Sequence, residues 1–150
     1  MSEPSPTPPA YSRRINSEKS VAIYTQILHK LSAEKRYREA GYTARRLAAE
    51  LGIDVRTVST VLAANYGHSF CTLINSLRLR EACRMLASQK YAQYNVEDIG
   101  LMAGFASRQS YYQTFVRQLA VTPRRYRLAH MRQPAPPPPS SAENKDTYAK

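Results

Sequence analysis

From about residue 16 to residue 132 the apolar positions recur at three- and four-residue intervals, the repeat of one helix face. No stretch alternates with period two over a useful length, so the pattern predicts an all-α chain. Val21, Tyr24, Leu28 and Leu31 predict an amphipathic helix over 17–39, ended by Gly41. Thr43 is placed to cap a second helix through Leu51, which Gly52 stops. Asp54 caps a third that runs to about Tyr66, with Gly67 as its stop. The longest helix is expected over 69–87, with Phe70, Leu73, Ile74, Leu77, Ala82, Met85 and Leu86 as its apolar residues. Asn95 caps a short helix that ends at Gly104, with Asp98 three residues on in the manner of a capping box. Ser107 caps a sixth helix to about Leu119. Thr122-Pro123 opens a seventh, the proline sitting in the first turn where its missing N–H costs nothing.

Two of these stretches share one design, a short helix, a glycine turn and a second helix, over about 43–66 and about 95–119. At 100° per residue the second helix of the first unit sends Val58, Val61, Leu62 and Asn65 to one side. Arg56, Ser59, Thr60 and Ala63 go to the other. The inward side is β-branched or large; the outward side is small, polar and basic, which suits a helix that must enter a major groove. The second unit repeats the division: Tyr111, Phe115 and Leu119 face a core, and Arg108, Gln109, Tyr112 and Gln113 point away. Arginine pairs bidentately with guanine and glutamine with adenine, so this second face carries the denser reading chemistry. The helix between the units spans nineteen residues, about 28 Å at the usual rise. That is near the roughly 34 Å between major-groove faces on one side of a duplex.

Charge sharpens this picture. The chain carries a formal net charge of +11, and from Tyr11 to Arg132 twenty basic residues face eight acidic ones. Sixteen of all the basic residues are arginines, whose forked guanidinium suits phosphate and guanine. An acidic partner is implied, and double-stranded DNA is the expected one. Arg45 and Arg46 open the helix after Thr43, where either a phosphate contact or a solvated helix end fits; Arg124 and Arg125 are placed to reach the backbone beside the second groove. Arg127 could reach the same backbone but is expected to pack with Tyr126 against the fold.

Nine of the ten prolines lie in Met1–Pro9 or Pro134–Pro139, so 1–15 and 133–150 are expected to be disordered arms. No run of eighteen apolar residues and no secretion signal appears, and two cysteines give no disulfide framework. A cytoplasmic protein without membrane contact is expected. His68 and Cys71 lie a turn apart, but Cys83 is about 18 Å further along the same helix. Two ligands without a third do not make a zinc site, so a buried Cys71 and a satisfied His68 are expected. His29 and His130 have no catalytic company and no phosphate loop or nucleophile motif occurs. Neither an enzyme nor a cofactor is expected.

One resemblance draws these features together. It is carried by Leu47-Ala48-x-x-Leu51-Gly52, then Asn65-Tyr-Gly67-x-x-Phe70-x-x-x-Ile74-Asn75-x-x-Arg78-x-x-x-Ala82. It continues in Ile99-x-x-x-x-Gly104-Phe105-x-Ser107-x-x-x-Tyr111-Tyr112-x-x-Phe115 and closes with Thr122-Pro123-x-x-Tyr126-Arg127. Over about residues 43–127 the chain resembles the DNA-binding domain of the AraC/XylS family of bacterial transcription regulators. The resemblance implies seven helices, two helix-turn-helix units joined by a long helix, and two successive major grooves contacted by one protomer. It places DNA contacts on Arg56, Ser59 and Thr60 in the first unit, and on Ser107, Arg108, Gln109, Tyr112 and Gln113 in the second, and it implies a structural role for Arg78 at a helix end. The chain departs from the family where many members carry arginine, at Thr60 and Gln113, and where they carry a basic residue, at Ala63. The first unit is thus expected to be the lighter reader.

The division that follows is an arm over 1–15, an N-terminal helix over 16–40, a DNA-binding domain over 41–132 and a tail over 133–150. With two reading helices per chain a monomer suffices, although the first helix could form a weak dimer contact; RNA polymerase is the expected partner of an activator. Regulation by a small molecule is not expected of this chain by itself. The competing reading is a protein-interaction module with an incidental basic surface and a proline-rich docking tail.

Overall fold

The computed structural model describes residues 16–131, so the expectations for the two proline-rich arms lie outside the described residues. Within them the chain is all helical, with seven α-helices: α1 Ser17–Ser32, α2 Ala44–Leu51, α3 Val55–Asn65, α4 Phe70–Leu86, α5 Val96–Met102, α6 Arg108–Leu119 and α7 Pro123–His130. Two 3-10 turns, Arg36–Arg38 and Gln89–Tyr91, join α1 to α2 and α4 to α5. Each α-helix begins on a side-chain cap, from Asn16, Thr43, Asp54, Ser69, Asn95, Ser107 and Thr122 in turn. Each cap satisfies one of the amide donors that a helix start leaves without a partner.

Helix α4 serves two cores. Its first half gives Leu73 and Ile74 to a cluster with Ile23, Ile27 and Leu31 of α1, Leu47 and Ala48 of α2, and Val58, Val61 and Leu62 of α3. Its second half gives Leu79, Ala82, Met85 and Leu86 to a cluster with Ile99, Ala103, Phe105, Tyr111 and Phe115. The change-over falls at Arg78, buried at 7 % exposure. Its Nε donates to the Tyr37 carbonyl at 2.7 Å and its Nη2 to the Glu39 carbonyl at 2.9 Å. It therefore holds the end of the 36–38 turn, as a helix-end role for this residue predicts. Burial pushes the Arg78 guanidinium down from its ordinary value. One turn on, buried Glu81 accepts from Arg38 and from both the Nε and Nη2 of Arg84, at 3.0 and 2.9 Å.

Helix α1 corrects two expectations. It stops at Ser32 rather than running to Glu39, and Gly41 is an exposed turn residue rather than its terminator. Lys35 takes a left-handed backbone, φ 51°, and turns the chain so that Tyr37 and Tyr42 enter the first core. The apolar stripe is also rotated from the expected one. Ser20, Ile23, Ile27 and Leu31 are buried and Val21 is 53 % exposed, because the helix packs on α3, where Asn65 Nδ2 donates to Ser20 Oγ at 2.8 Å. On α4, Leu79 joins the core, which the expected apolar face omitted.

Candidate nucleic-acid interface

The second helices of the two units, α3 and α6, carry the faces of interest. On α3, Val58, Val61 and Leu62 are fully buried, while Arg56, Ser59 and Ala63 are exposed and Thr60 is half-buried. The face is small in bulk: Ser59, Thr60, Ala63 and Ala64 border one open depression of about 520 Å³. Ser59 Oγ is turned back to the Val55 carbonyl at 3.4 Å, whereas Arg56 stands free at the first turn, its amide taken by the Asp54 cap at 2.7 Å.

On α6, Tyr111 and Phe115 are buried, and Arg108, Gln109 and Gln113 are exposed. Ser107 Oγ accepts from the Ser110 amide at 3.1 Å, so its hydroxyl caps the helix. Two expectations for this helix are corrected. Leu119 is 37 % exposed rather than in the core, while Val121 and Tyr126 pack against the cluster. Tyr112 is half-buried rather than pointing away; its hydroxyl donates to Glu97 Oε1 at 3.0 Å. The Arg108 guanidinium lies 5.6 Å over the Tyr112 ring, with Nη2 at 3.3 Å from the same Glu97 oxygen. Spacing gave no signal for Glu97, which sits on α5 and reaches α6 only through the fold.

Both helices lie on the same side of α4. A cavity of about 450 Å³ is bordered by Ser59 of α3, Ser110 of α6, Thr43 and Ala44 at the start of α2, and Cys71 and Asn75 of α4. Cys71 is exposed there rather than buried as expected, since it lies in the first turn of α4 between the units instead of over either core. Arg117, which the sequence reading passed over, is exposed beside the same stretch of α4 and borders a smaller cavity with Cys71, Thr72 and Asn75.

A helix-turn-helix domain family model matches residues 47–129, more than half of the chain. The chain belongs to the AraC-type helix-turn-helix family. Three solved structures show the same fold. The C-terminal domain of AraT, a response regulator from Geobacillus stearothermophilus, superposes with TM-score 0.65 at 18 % identity, over 86 % of this chain and 98 % of that one. A protein of unknown function from Listeria innocua gives 0.63 at 22 %, over 73 % and 98 %. The C-terminal domain of the two-component response regulator yesN from Fusobacterium nucleatum gives 0.59 at 21 %, over 74 % and 99 %. No curated protein matches. As a member of the AraC-type family the chain is a DNA-binding regulator, of a family that is generally not enzymatic. No helix among the described residues is long and apolar enough to cross a membrane.

The remaining arginines of this AraC-type domain divide by their partners. Arg45 is exposed at the start of α2. Arg46 is held by Glu39 at 2.6 Å and Glu50 at 3.3 Å, and lies over the Tyr42 ring. Arg124 and Arg125 are exposed at the start of α7, and Arg124 borders a cavity with Glu97, Arg108 and Tyr112. Arg127 is turned into the fold, as expected: it donates to the carbonyls of Tyr94 and Tyr91 at 2.7 and 3.2 Å, tying α7 to the 89–91 turn. Tyr126 packs on Phe115 and stacks on His130.

Proposed function

We propose that the chain binds duplex DNA sequence-specifically, α3 and α6 entering successive major grooves on one side of the double helix. The observation that carries this reading is the shared cavity: Ser59 of α3 and Ser110 of α6 both border it, so the two second helices come together on one side of a common strut. The strut is seventeen residues rather than nineteen, about 25 Å long, still of the order of one groove repeat. Arg108, Gln109 and Gln113 supply base-edge chemistry on α6, and Tyr112 braces it. Arg56, Ser59 and Thr60 do lighter work on α3, Arg56 chiefly on phosphate and the small side chains against thymine methyls. Ser107 starts α6 at the backbone. Arg45, Arg124 and Arg125 contact phosphates, with Arg46 contributing least because two carboxylates already hold it.

The unit that binds is 41–132, with 16–40 packed against its first half, and one chain per site suffices. An activator of this kind would present its remaining surface to RNA polymerase. The test is equilibrium binding to a duplex selected from a random pool and to its scrambled counterpart, at several salt concentrations. The expected result is tighter binding to the selected duplex, by a factor of about 10³ or more, and a steep loss of affinity with salt. A flat salt response, or equal affinity for both duplexes, overturns the reading.

A further inference from the structure

The geometry points to Glu97 as a specificity-determining residue: it braces Arg108 in a reading pose and keeps that arginine off the phosphate backbone. The inference rests on the reading that α6 enters a major groove. A single carboxylate oxygen, Glu97 Oε1, faces Arg108 Nη2 at 3.3 Å and accepts from the Tyr112 hydroxyl at 3.0 Å. The Tyr112 ring in turn lies against the guanidinium, 5.6 Å from its carbon. Arg108 is therefore held on one face by a ring and on one edge by a carboxylate, on a helix start fixed by the Ser107 cap. Its other N–H groups remain for a partner, and a guanine edge takes two parallel donors from one arginine. A guanidinium already confined in this way loses less freedom when it meets a base.

The bracing is light, which the function requires. The Arg108 side chain is 73 % exposed and that of Glu97 35 %, and exposed pairs of this kind are weak and exchange readily. Glu97 also places a negative charge beside Arg108 and Arg124 in the one cavity that all three border. A phosphate approaching Arg108 at that edge meets this charge, while a neutral base edge does not. The carboxylate thus taxes non-specific backbone binding and spares base reading, so both of its effects widen the same ratio. Glu97 acts through Arg108 and is a positioning residue rather than a reader.

The test is Glu97→Gln, which keeps an acceptor for Tyr112 and removes the charge, measured with Arg108→Ala and the double variant. Duplexes are the wild-type-selected sequence and its scramble, across a salt series. The ratio of specific to non-specific affinity is expected to fall about tenfold in Glu97→Gln, within the range a bidentate base contact commands. The non-specific salt slope should steepen by about one phosphate as Arg108 turns to the backbone. Both changes should vanish in the Arg108→Ala background. An unchanged ratio and slope in Glu97→Gln, or the same fall with and without Arg108, overturns the inference while leaving the groove reading intact. A wild-type protein that does not discriminate the two duplexes overturns both. A merely structural role would lower the melting temperature without moving the ratio.

Discussion

In the first helix-turn-helix unit the turn glycine, Gly52, sits at φ +66°, and a Cβ added there would meet nothing within 4 Å. In the second unit the corresponding residue, Gly104, sits at φ +109°, and a Cβ would overlap the carbonyl oxygen of Tyr37 and crowd the backbone of Arg38. One glycine answers a local need, the left-handed residue that ends a helix. The other answers a tertiary one, since the turn of the second unit is seated on the backbone of the 36–38 turn. The same Tyr37 carbonyl accepts from Arg78, and Arg38 reaches Glu81. The segment after α1 therefore belongs to both units, and it sets how the second is oriented on α4. The turn of the first unit is finished within itself, whereas that of the second is completed by residues that precede the first unit.

Replacing each glycine by alanine separates the two cases and should give the largest effects. Gly104→Ala is expected to destabilise the fold by about 3 kcal/mol or more, because both the backbone conformation and the contact with Tyr37 are lost to a methyl group. Gly52→Ala should cost about 1 kcal/mol, the strain of a left-handed alanine with open space around it. Chemical denaturation midpoints measure the difference, and hydrogen exchange should locate the Gly104→Ala loosening in α5 and α6. Equal costs at the two positions would mean that the second turn is not seated as described.

The junction can also be loosened by acid. Glu81 is buried, and its carboxyl is drawn down to about 2 by hydrogen bonds from Arg84 first and Arg38 next, against the opposing effect of burial. Its folded value lies below an unfolded value of about 4.3, so its stabilisation is whole above that pH. It is lost as pH falls toward 2. The size is about 3 kcal/mol, and Glu81→Gln should flatten that limb of the stability curve while lowering the plateau at neutral pH. The contrast on the same segment is Glu39, whose more exposed side chain pairs with Arg36 and Arg46. Glu39→Gln should leave the curve nearly unchanged.

These junction features mark where sequence reasoning reached its limit. The caps Thr43, Asp54, Asn95 and Ser107, and the Thr122-Pro123 start, were legible because each precedes an apolar run at a fixed offset, and the inward face of α3 followed from a single period; the caps at Asn16 and Ser69 came only with the structure. Helix α1 was misread in two ways. Its stop is made by Lys35, a residue with no turn signature, and its buried stripe is set by its packing on α3. Arg78, Arg38 and Glu81 come from segments some forty residues apart, and a charged residue in a helical pattern looks solvated until the fold closes over it. Glu97 escaped for the same reason. Arg46 and Arg45 stand side by side in sequence; the pairing of Arg46 with Glu50 is an i,i+4 contact within α2, but only the fold brings Glu39 to it.

The two reading helices should differ in kind as well as size. Arg108→Ala is expected to weaken binding to the selected duplex about tenfold and to relax the preference at one base pair, leaving non-specific binding nearly as it was. Arg56→Ala should weaken selected and scrambled duplexes alike and reduce the salt slope by about one, as loss of a phosphate contact does. Site selection repeated with each variant checks this. If Arg56→Ala relaxes a base preference as strongly as Arg108→Ala, the first unit reads sequence as fully as the second and the asymmetry between them disappears.

The smallest effect tests the asymmetry inside one helix start. Arg45 and Arg46 are both exposed at the start of α2, but Arg46 reaches Glu39 at 2.6 Å and Glu50 at 3.3 Å and rests on the Tyr42 ring. To contact a phosphate it must leave two carboxylates that Arg36 and Lys30 also approach. What it gains from DNA is offset by what it gives up. Arg45 has no carboxylate partner among the described residues. Arg45→Ala should therefore reduce affinity severalfold with a salt slope smaller by about one, and Arg46→Ala should change affinity less than about threefold. Glu50→Gln sharpens the point: with one of its partners gone, Arg46 is freer to swing outward, so non-specific binding should rise, and should do so only when Arg46 is present.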